Sequence, residues 1–113
     1  MKPSMRQRII ANVPVLDEYG QPEYDRYGKP RTAERESQAR VQYKPQTVYN
    51  AQGEEKRINL EIDIPTAFNP DTGTRVKAQT IGGDWVEGNI EAKDEATNLS
   101  ASKVYYRTVY VGG

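Results

Sequence analysis

The apolar side chains of this chain are β-branched to a degree that leaves little room for helices. Nine valines and seven isoleucines stand against three leucines and one phenylalanine in 113 residues. Branching at Cβ stiffens χ1 and suits a pleated strand better than a helix. In one stretch these residues alternate strictly with polar ones: Ile58, Leu60, Ile62 and Ile64 are separated by Asn59, Glu61 and Asp63. A period of two puts the four apolar side chains on one face of a strand, and Pro65 ends it. The expected fold is therefore all-β and one domain, since a chain of this length buries about two thirds of its extended surface around a single core.

Further strands are predicted on either side. Residues 5–16 form a strand whose Pro14 lacks a ladder donor, placing it at a sheet edge or a frayed strand end. Ala39, Val41 and Tyr43 alternate with Arg40, Gln42 and Lys44 in a half-buried strand that stops at Pro45. A Pro- and Gly-containing turn spans residues 68–73, a short strand covers residues 74–80, and a turn follows at Gly82-Gly83-Asp84. Residues 85–92 make a strand interrupted by Gly88, with Trp85 as a core anchor because its ring is the largest apolar surface available. Residues 93–102 are polar and small, a loop or one helical turn. The last strand, residues 103–111, carries large groups on both faces, so it is expected to be covered on both sides. Five or six strands at this spacing make a small antiparallel barrel or a sandwich.

Two segments lack a strand period. Residues 17–31 contain Tyr19-Gly20-Gln21-Pro22 and, eight residues on, Tyr27-Gly28-Lys29-Pro30, two successive turns in a long extended loop. With Tyr24 the loop carries three tyrosines, and it is either a solvated hairpin tip or a contact with a neighbouring subunit. Residues 45–57 are polar and aperiodic, with Asn50 and Gly53 able to adopt left-handed backbone.

Composition removes much chemistry. With no cysteine and no histidine, thiol catalysis, disulfides, Cys/His zinc sites and histidine acid–base work are excluded. No Gly-rich phosphate loop or nucleophile elbow occurs. Glu61 and Asp63 share a strand face and would need more oxygen ligands to hold a hard cation, so a solvated outer face is preferred. The expectation is a non-enzyme without cofactor or metal. No run approaches the roughly 20 apolar residues of a membrane helix. The N-terminus lacks the apolar stretch of a signal peptide, which predicts an intracellular protein and makes the glycosylation match at Asn98-Leu99-Ser100 accidental. Sixteen basic residues balance sixteen acidic ones, too little positive charge for tight duplex binding. Residues 1–44 carry nine Lys/Arg against six Asp/Glu, and residues 45–113 carry seven against ten. Such an asymmetry suits subunits that stack basic side to acidic side.

The order of these features resembles the head-closure, or stopper, proteins of siphophage necks. The likeness rests on Ala39-Arg40-Val41-Gln42, on Val48-Tyr49-Asn50-Ala51-Gln52-Gly53-Glu54-Glu55 leading into the alternating strand, on Gly88-Asn89-Ile90, on Asp94-Glu95-Ala96-Thr97-Asn98, and on the closing Tyr105-Tyr106-Arg107-Thr108-Val109-Tyr110-Val111. It covers most of the chain from about Arg8, and related tail-completion proteins share much of the pattern. The resemblance implies a small β-barrel that assembles as a homo-oligomeric ring in the virion neck. The portal and head-tail adaptor would lie above it, the tail or a tail-completion protein below, and the end of the packaged DNA in its channel. It implies further that the segment between the second and third strands closes the channel. Here that is residues 45–57, with Lys44, Gln46, Thr47, Tyr49, Asn50, Gln52, Gly53, Lys56 and Arg57 as candidate channel-closing or DNA-proximal residues. Glu54 and Glu55 would offset the positive charge there. Tyr19, Tyr24, Tyr27, Tyr105 and Arg107 are candidate subunit-interface residues. The alternative is a barrel of the oligonucleotide-binding type, with Tyr43, Tyr49 and Tyr105 as stacking platforms for single-stranded nucleic acid.

Overall fold

The computed structural model describes residues 4–97, 100 and 103–112. Its elements are six strands: β1 (Gln7–Pro14), β2 (Thr32–Tyr49), β3 (Glu55–Ile64), β4 (Arg75–Gln79), β5 (Trp85–Thr97) and β6 (Val104–Gly112). They form one antiparallel sheet in the order β1-β2-β3-β6-β5-β4, closed by pairing of β4 with β1. Closure removes the exposed sheet edges that a small β protein must otherwise protect. The β-barrel expected from the sequence is what the chain adopts. β1 is therefore not an edge strand, and Pro14 sits at its last position, opposite Thr32 and past the β4 pairing.

The alternating segment faces as predicted. Ile58, Leu60, Ile62 and Ile64 are all buried; the last three join Ile9, Val41, Val76, Ile90, Val109 and Val111 from the other strands in the barrel core, while Ile58 is buried outside that cluster. Alanines complete the interior: Ala11, Ala39 and Ala78 on β1, β2 and β4 are fully buried. Val13 and Phe68 plug one end of the core.

Several local expectations are corrected. Asp63, placed on the solvated face, is only 6 % exposed. It accepts a 2.8 Å hydrogen bond from the Thr108 hydroxyl and faces Arg40 at 3.7 Å, which compensates its desolvation. Glu61 beside it pairs with Lys44 at 3.0 Å, so each carboxylate has a cationic side chain of the chain itself beside it. Trp85 is not a core anchor: it is 45 % exposed, because it lies at the start of β5 beyond the barrel's apolar layer. Gly88 does not interrupt β5. It is buried within the strand, and a Cβ there would lie 2.6 Å from Val111 Cγ1 and 2.9 Å from the Gly112 carbonyl. The glycine permits close approach of β5 to β6 rather than a break.

Residues 93–97 are strand rather than loop or helix, since β5 runs to Thr97 and pairs with β6 throughout. Residues 98, 99, 101 and 102, with most of the glycosylation match, lie outside the described residues. β6 buries Val109 and Val111, whereas Tyr106, Thr108 and Tyr110 on its outer face are half-buried by polar neighbours on β2, β3 and β5. No element of the chain covers that outer face among the described residues.

The largest correction concerns Pro45. β2 does not stop there; it continues to Tyr49, and a β-bulge between Tyr43 and Gln46 absorbs the proline that cannot donate to the ladder. β2 is 18 residues long, far more than the barrel needs, and this length creates the features described next.

Candidate functional site

β2 leaves the barrel at both ends. At its N-terminal end it forms a ribbon with β1 that leads into residues 15–31, and at its C-terminal end a second ribbon with β3 that turns at residues 50–54. In an antiparallel barrel the β1–β2 and β2–β3 connections lie at opposite rims, so the two arms leave from opposite ends; β2 bends on the way, since 18 extended residues would span roughly 60 Å and the longest dimension of the molecule is 44 Å.

The first arm is ordered by backbone bonds that the sequence only hinted at. Val15 N–H donates to the Arg31 carbonyl, Arg31 N–H to that of Glu23, and Glu23 N–H to that of Val15, each at 2.9 Å. The bonds form a cycle. Three hairpins radiate from it: the β1–β2 ribbon, a lobe closed by the bridge Leu16 to Pro22, and a lobe closed by Tyr24 to Pro30. The eight-residue echo is the spacing of the junction, since positions 15, 23 and 31 are its corners. The expected loop of residues 17–31 is thus a three-way β junction with no long irregular stretch.

Each lobe turns identically. Asp17 Oδ1 accepts from the amides of Tyr19 and Gln21, and Asp25 Oδ1 from those of Tyr27 and Lys29, all at 2.8–3.0 Å. Gly20 and Gly28 then take φ of 78°, which only glycine adopts without strain. The aspartates were not singled out from the sequence, although an acidic residue three before each glycine carries the signal of an Asx turn.

The same device caps the second arm. Asn50 Oδ1 accepts from the amides of Gln52 and Glu54 at 3.0 and 2.9 Å, and Gly53 has φ 78°. Residues 45–57 are consequently a regular hairpin, with Gln46 opposite Ile58, Thr47 opposite Arg57, Val48 opposite Lys56 and Tyr49 opposite Glu55. Their lack of hydrophobic period, read as an aperiodic segment, instead reflects a ribbon solvated on both faces. Its partners are backbone groups, so side-chain periodicity is not required. Charge in this arm balances by count: Lys56 and Arg57 follow Glu54 and Glu55 on the same side of the hairpin, opposite Val48 and Thr47, and Lys44 at its base is held by Glu61.

Of the candidate interface residues, Tyr19, Tyr24 and Tyr27 are exposed on the junction lobes. Tyr105 and Arg107 lie at that same end of the barrel, but within the chain's own contacts. Arg107 forms an ion pair with Glu95 and donates to the Thr66 carbonyl, and the Lys103 ammonium sits 5.6 Å from the Tyr105 ring centre. The three proposed stacking tyrosines are not brought together. Tyr43 and Tyr49 stand opposite Leu60 and Glu55, five residues apart on β3 and so on opposite faces, while Tyr105 is at the other end of the barrel.

A further feature was missed by sequence reasoning. At the mouth beside the second arm, Val41, Tyr43, Leu60 and Ile81 line an open groove of about 410 Å³, with an adjoining one of about 490 Å³ around Arg6 and Gln7. Ile81, on the β4–β5 turn, is 88 % exposed. Gln7 shapes the floor: its side-chain amide exchanges two 3.1 Å hydrogen bonds with Val41 and donates to the Gln79 carbonyl, bridging β2 and β4 where β1 begins.

On the outer face, Tyr110 has its pKa raised above 10.0, first by burial and then by the nearby carboxylates of Asp94, Glu61 and Asp63. Such a phenol stays protonated and serves as a hydrogen-bonding surface, not as a base. Among the described residues, no three acidic side chains converge as a metal ion would require, and no helix is long and apolar enough to cross a membrane.

Comparison with protein-family models, with curated proteins and with solved structures finds no match.

Proposed function

We propose that this chain is a structural, non-catalytic component of a phage neck, forming a homo-oligomeric ring between portal and adaptor on one side and the tail or a tail-completion protein on the other. The observation that carries the proposal is β2, whose 18 residues place one hairpin arm at each end of a small barrel. A subunit built this way can hold neighbours with one arm and present the other towards a ring axis. The order of turns and strands resembles that of siphophage head-closure proteins, and the second arm stands where that resemblance implies the channel is closed.

A paired ribbon suits the closing role better than a loose loop. Its backbone groups are satisfied within the arm, so it extends from the barrel without unpaired polar groups, and many copies around a ring sum small contacts into a plug. The balanced charges at its tip allow copies to approach one another without strong repulsion. The nucleic-acid-binding alternative gains no specific support, because its tyrosines do not share a surface.

The test is to shorten the arm without disturbing its turn. Deleting Val48-Tyr49 together with Glu55-Lys56 removes two opposed pairs, about 7 Å of arm, and keeps the alternation. Virions of the encoding phage that carry this variant should assemble heads that lose DNA to added nuclease. Heads retaining a full genome would remove the gating role.

A further inference from the structure

The exposed apolar groups of this barrel lie at opposite ends, and their charged neighbours differ in sign. At the mouth groove, Tyr43 and Ile81 are surrounded by Arg6, Arg40 and Lys44, with no carboxylate in the lining. Arg40 and Lys44 are drawn towards Asp63 and Glu61, while Arg6 has no ion-pair partner among the described residues. At the far end, the two lobes of the junction share backbone, tyrosine and glycine but not charge. The first presents Leu16, Asp17, Glu18 and Tyr19, the second Tyr24, Asp25, Arg26 and Tyr27. Asp17 and Asp25 are both occupied in their turns, so Glu18 and Arg26 set the difference.

The geometry points to the first lobe of one copy docking into the mouth groove of the next, with Tyr19 and Leu16 covering Ile81 and Tyr43 while Glu18 meets Arg6. The occupant is a second copy of this chain, chosen by charge: an apolar groove whose rim carries Arg6, the one of its three cations outside an ion pair among the described residues, accepts the acidic lobe and disfavours the second, which carries Arg26 and Lys29. Tyr19 is 81 % exposed and fixed on a rigid turn, so it supplies contact area with little ordering cost. The two surfaces are different patches on one molecule, hence the contact is heterologous and propagates round a ring or along a filament. This contact rests on the self-assembly proposed above and identifies the surfaces that would carry it.

The experiment uses the full chain, native mass spectrometry and sedimentation across a concentration series. Ile81→Asp and Tyr19→Asp should each weaken self-association at least tenfold. Both sites are exposed turn positions, and circular dichroism verifies that the fold is kept. Tyr27→Asp, the equivalent change on the second lobe, should leave association within about twofold. Mixing the Ile81→Asp and Tyr19→Asp proteins should restore a single heterodimer and nothing larger, because one sound lobe and one sound groove remain between them. Glu18→Arg should weaken assembly and Arg6→Glu should recover it in the double variant. Wild type that assembles unaffected by either variant overturns this contact and leaves the ring proposal standing; wild type that stays monomeric throughout overturns both. Equal loss from Tyr19→Asp and Tyr27→Asp, or a photo-crosslinker at position 81 that captures residues 4–6 of its own chain instead of residues 16–22 of another, also overturns it.

Discussion

Ile62 is the position where the barrel core is most exposed to test. It is fully buried, stands opposite Val41 on β2 and Val109 on β6, and lies between two outward-facing carboxylates on its own strand. Ile62→Ala removes three carbons, worth roughly 2.4 kcal/mol at about 0.8 kcal/mol each. The remaining cavity adds about 1 kcal/mol, because strands locked in a closed ladder collapse little, giving a total of about 3 to 4 kcal/mol. That is a large share of the stability of a domain this size, about 5 to 15 kcal/mol. Urea titration followed by circular dichroism should show a lowered midpoint at constant slope. Ile62→Val should cost only about 0.5 to 1.5 kcal/mol. Asn59→Ala, on the exposed face of the same strand, should change stability by less than about 0.5 kcal/mol. A loss below about 1 kcal/mol for Ile62→Ala, or a larger loss for Asn59→Ala, would refute the register on which the barrel core is built.

Three further outcomes are expected. Gly88→Ala should destabilise by about 1 to 3 kcal/mol in the same titration, since its methyl would press on Val111 and the Gly112 carbonyl. Asp25→Ala should leave the unfolding midpoint unchanged but speed hydrogen exchange at the Tyr27 and Lys29 amides by about two- to tenfold, from about 0.5 to 1.5 kcal/mol for the one bond each loses. Tyr110 has a raised pKa in the folded chain, so as pH climbs past 10.0 the unfolded chain loses this proton first and stability falls. Stability measured between neutral pH and the alkaline limit should therefore decline, and Tyr110→Phe should lessen the decline.

The sequence carried the barrel more clearly than the arms. Strands with a buried face announce themselves through alternation, as Ile58 to Ile64 did, because burial selects apolar side chains every second residue. The arms bury neither face, so their pairing leaves no such trace: β2 beyond Tyr43 reads as polar coil, and Pro45 looks like a stop until the bulge is known. What remained legible was turn chemistry. Asp17, Asp25 and Asn50 each precede a glycine by three residues, and this spacing alone marks three hairpins with one geometry. The groove at Ile81 was hidden for a different reason. It is assembled from β2, β3 and the β4–β5 turn, residues distant in sequence, and an isoleucine beside Gly82-Gly83 gives no local sign of what it faces. Trp85 misled in the opposite direction, since ring size favours burial but its place at the strand start prevents it.

The measurement that bears most directly on the proposed neck role is an electron cryomicroscopy reconstruction of the head–tail joint in virions prepared from a host that expresses this chain. The expected result is a ring of these barrels at the head–tail joint, with the Asn50 to Glu54 tips converging on the axis and DNA density ending above them. A full neck without this chain, or a ring whose second arms point outward around an open channel, would contradict it.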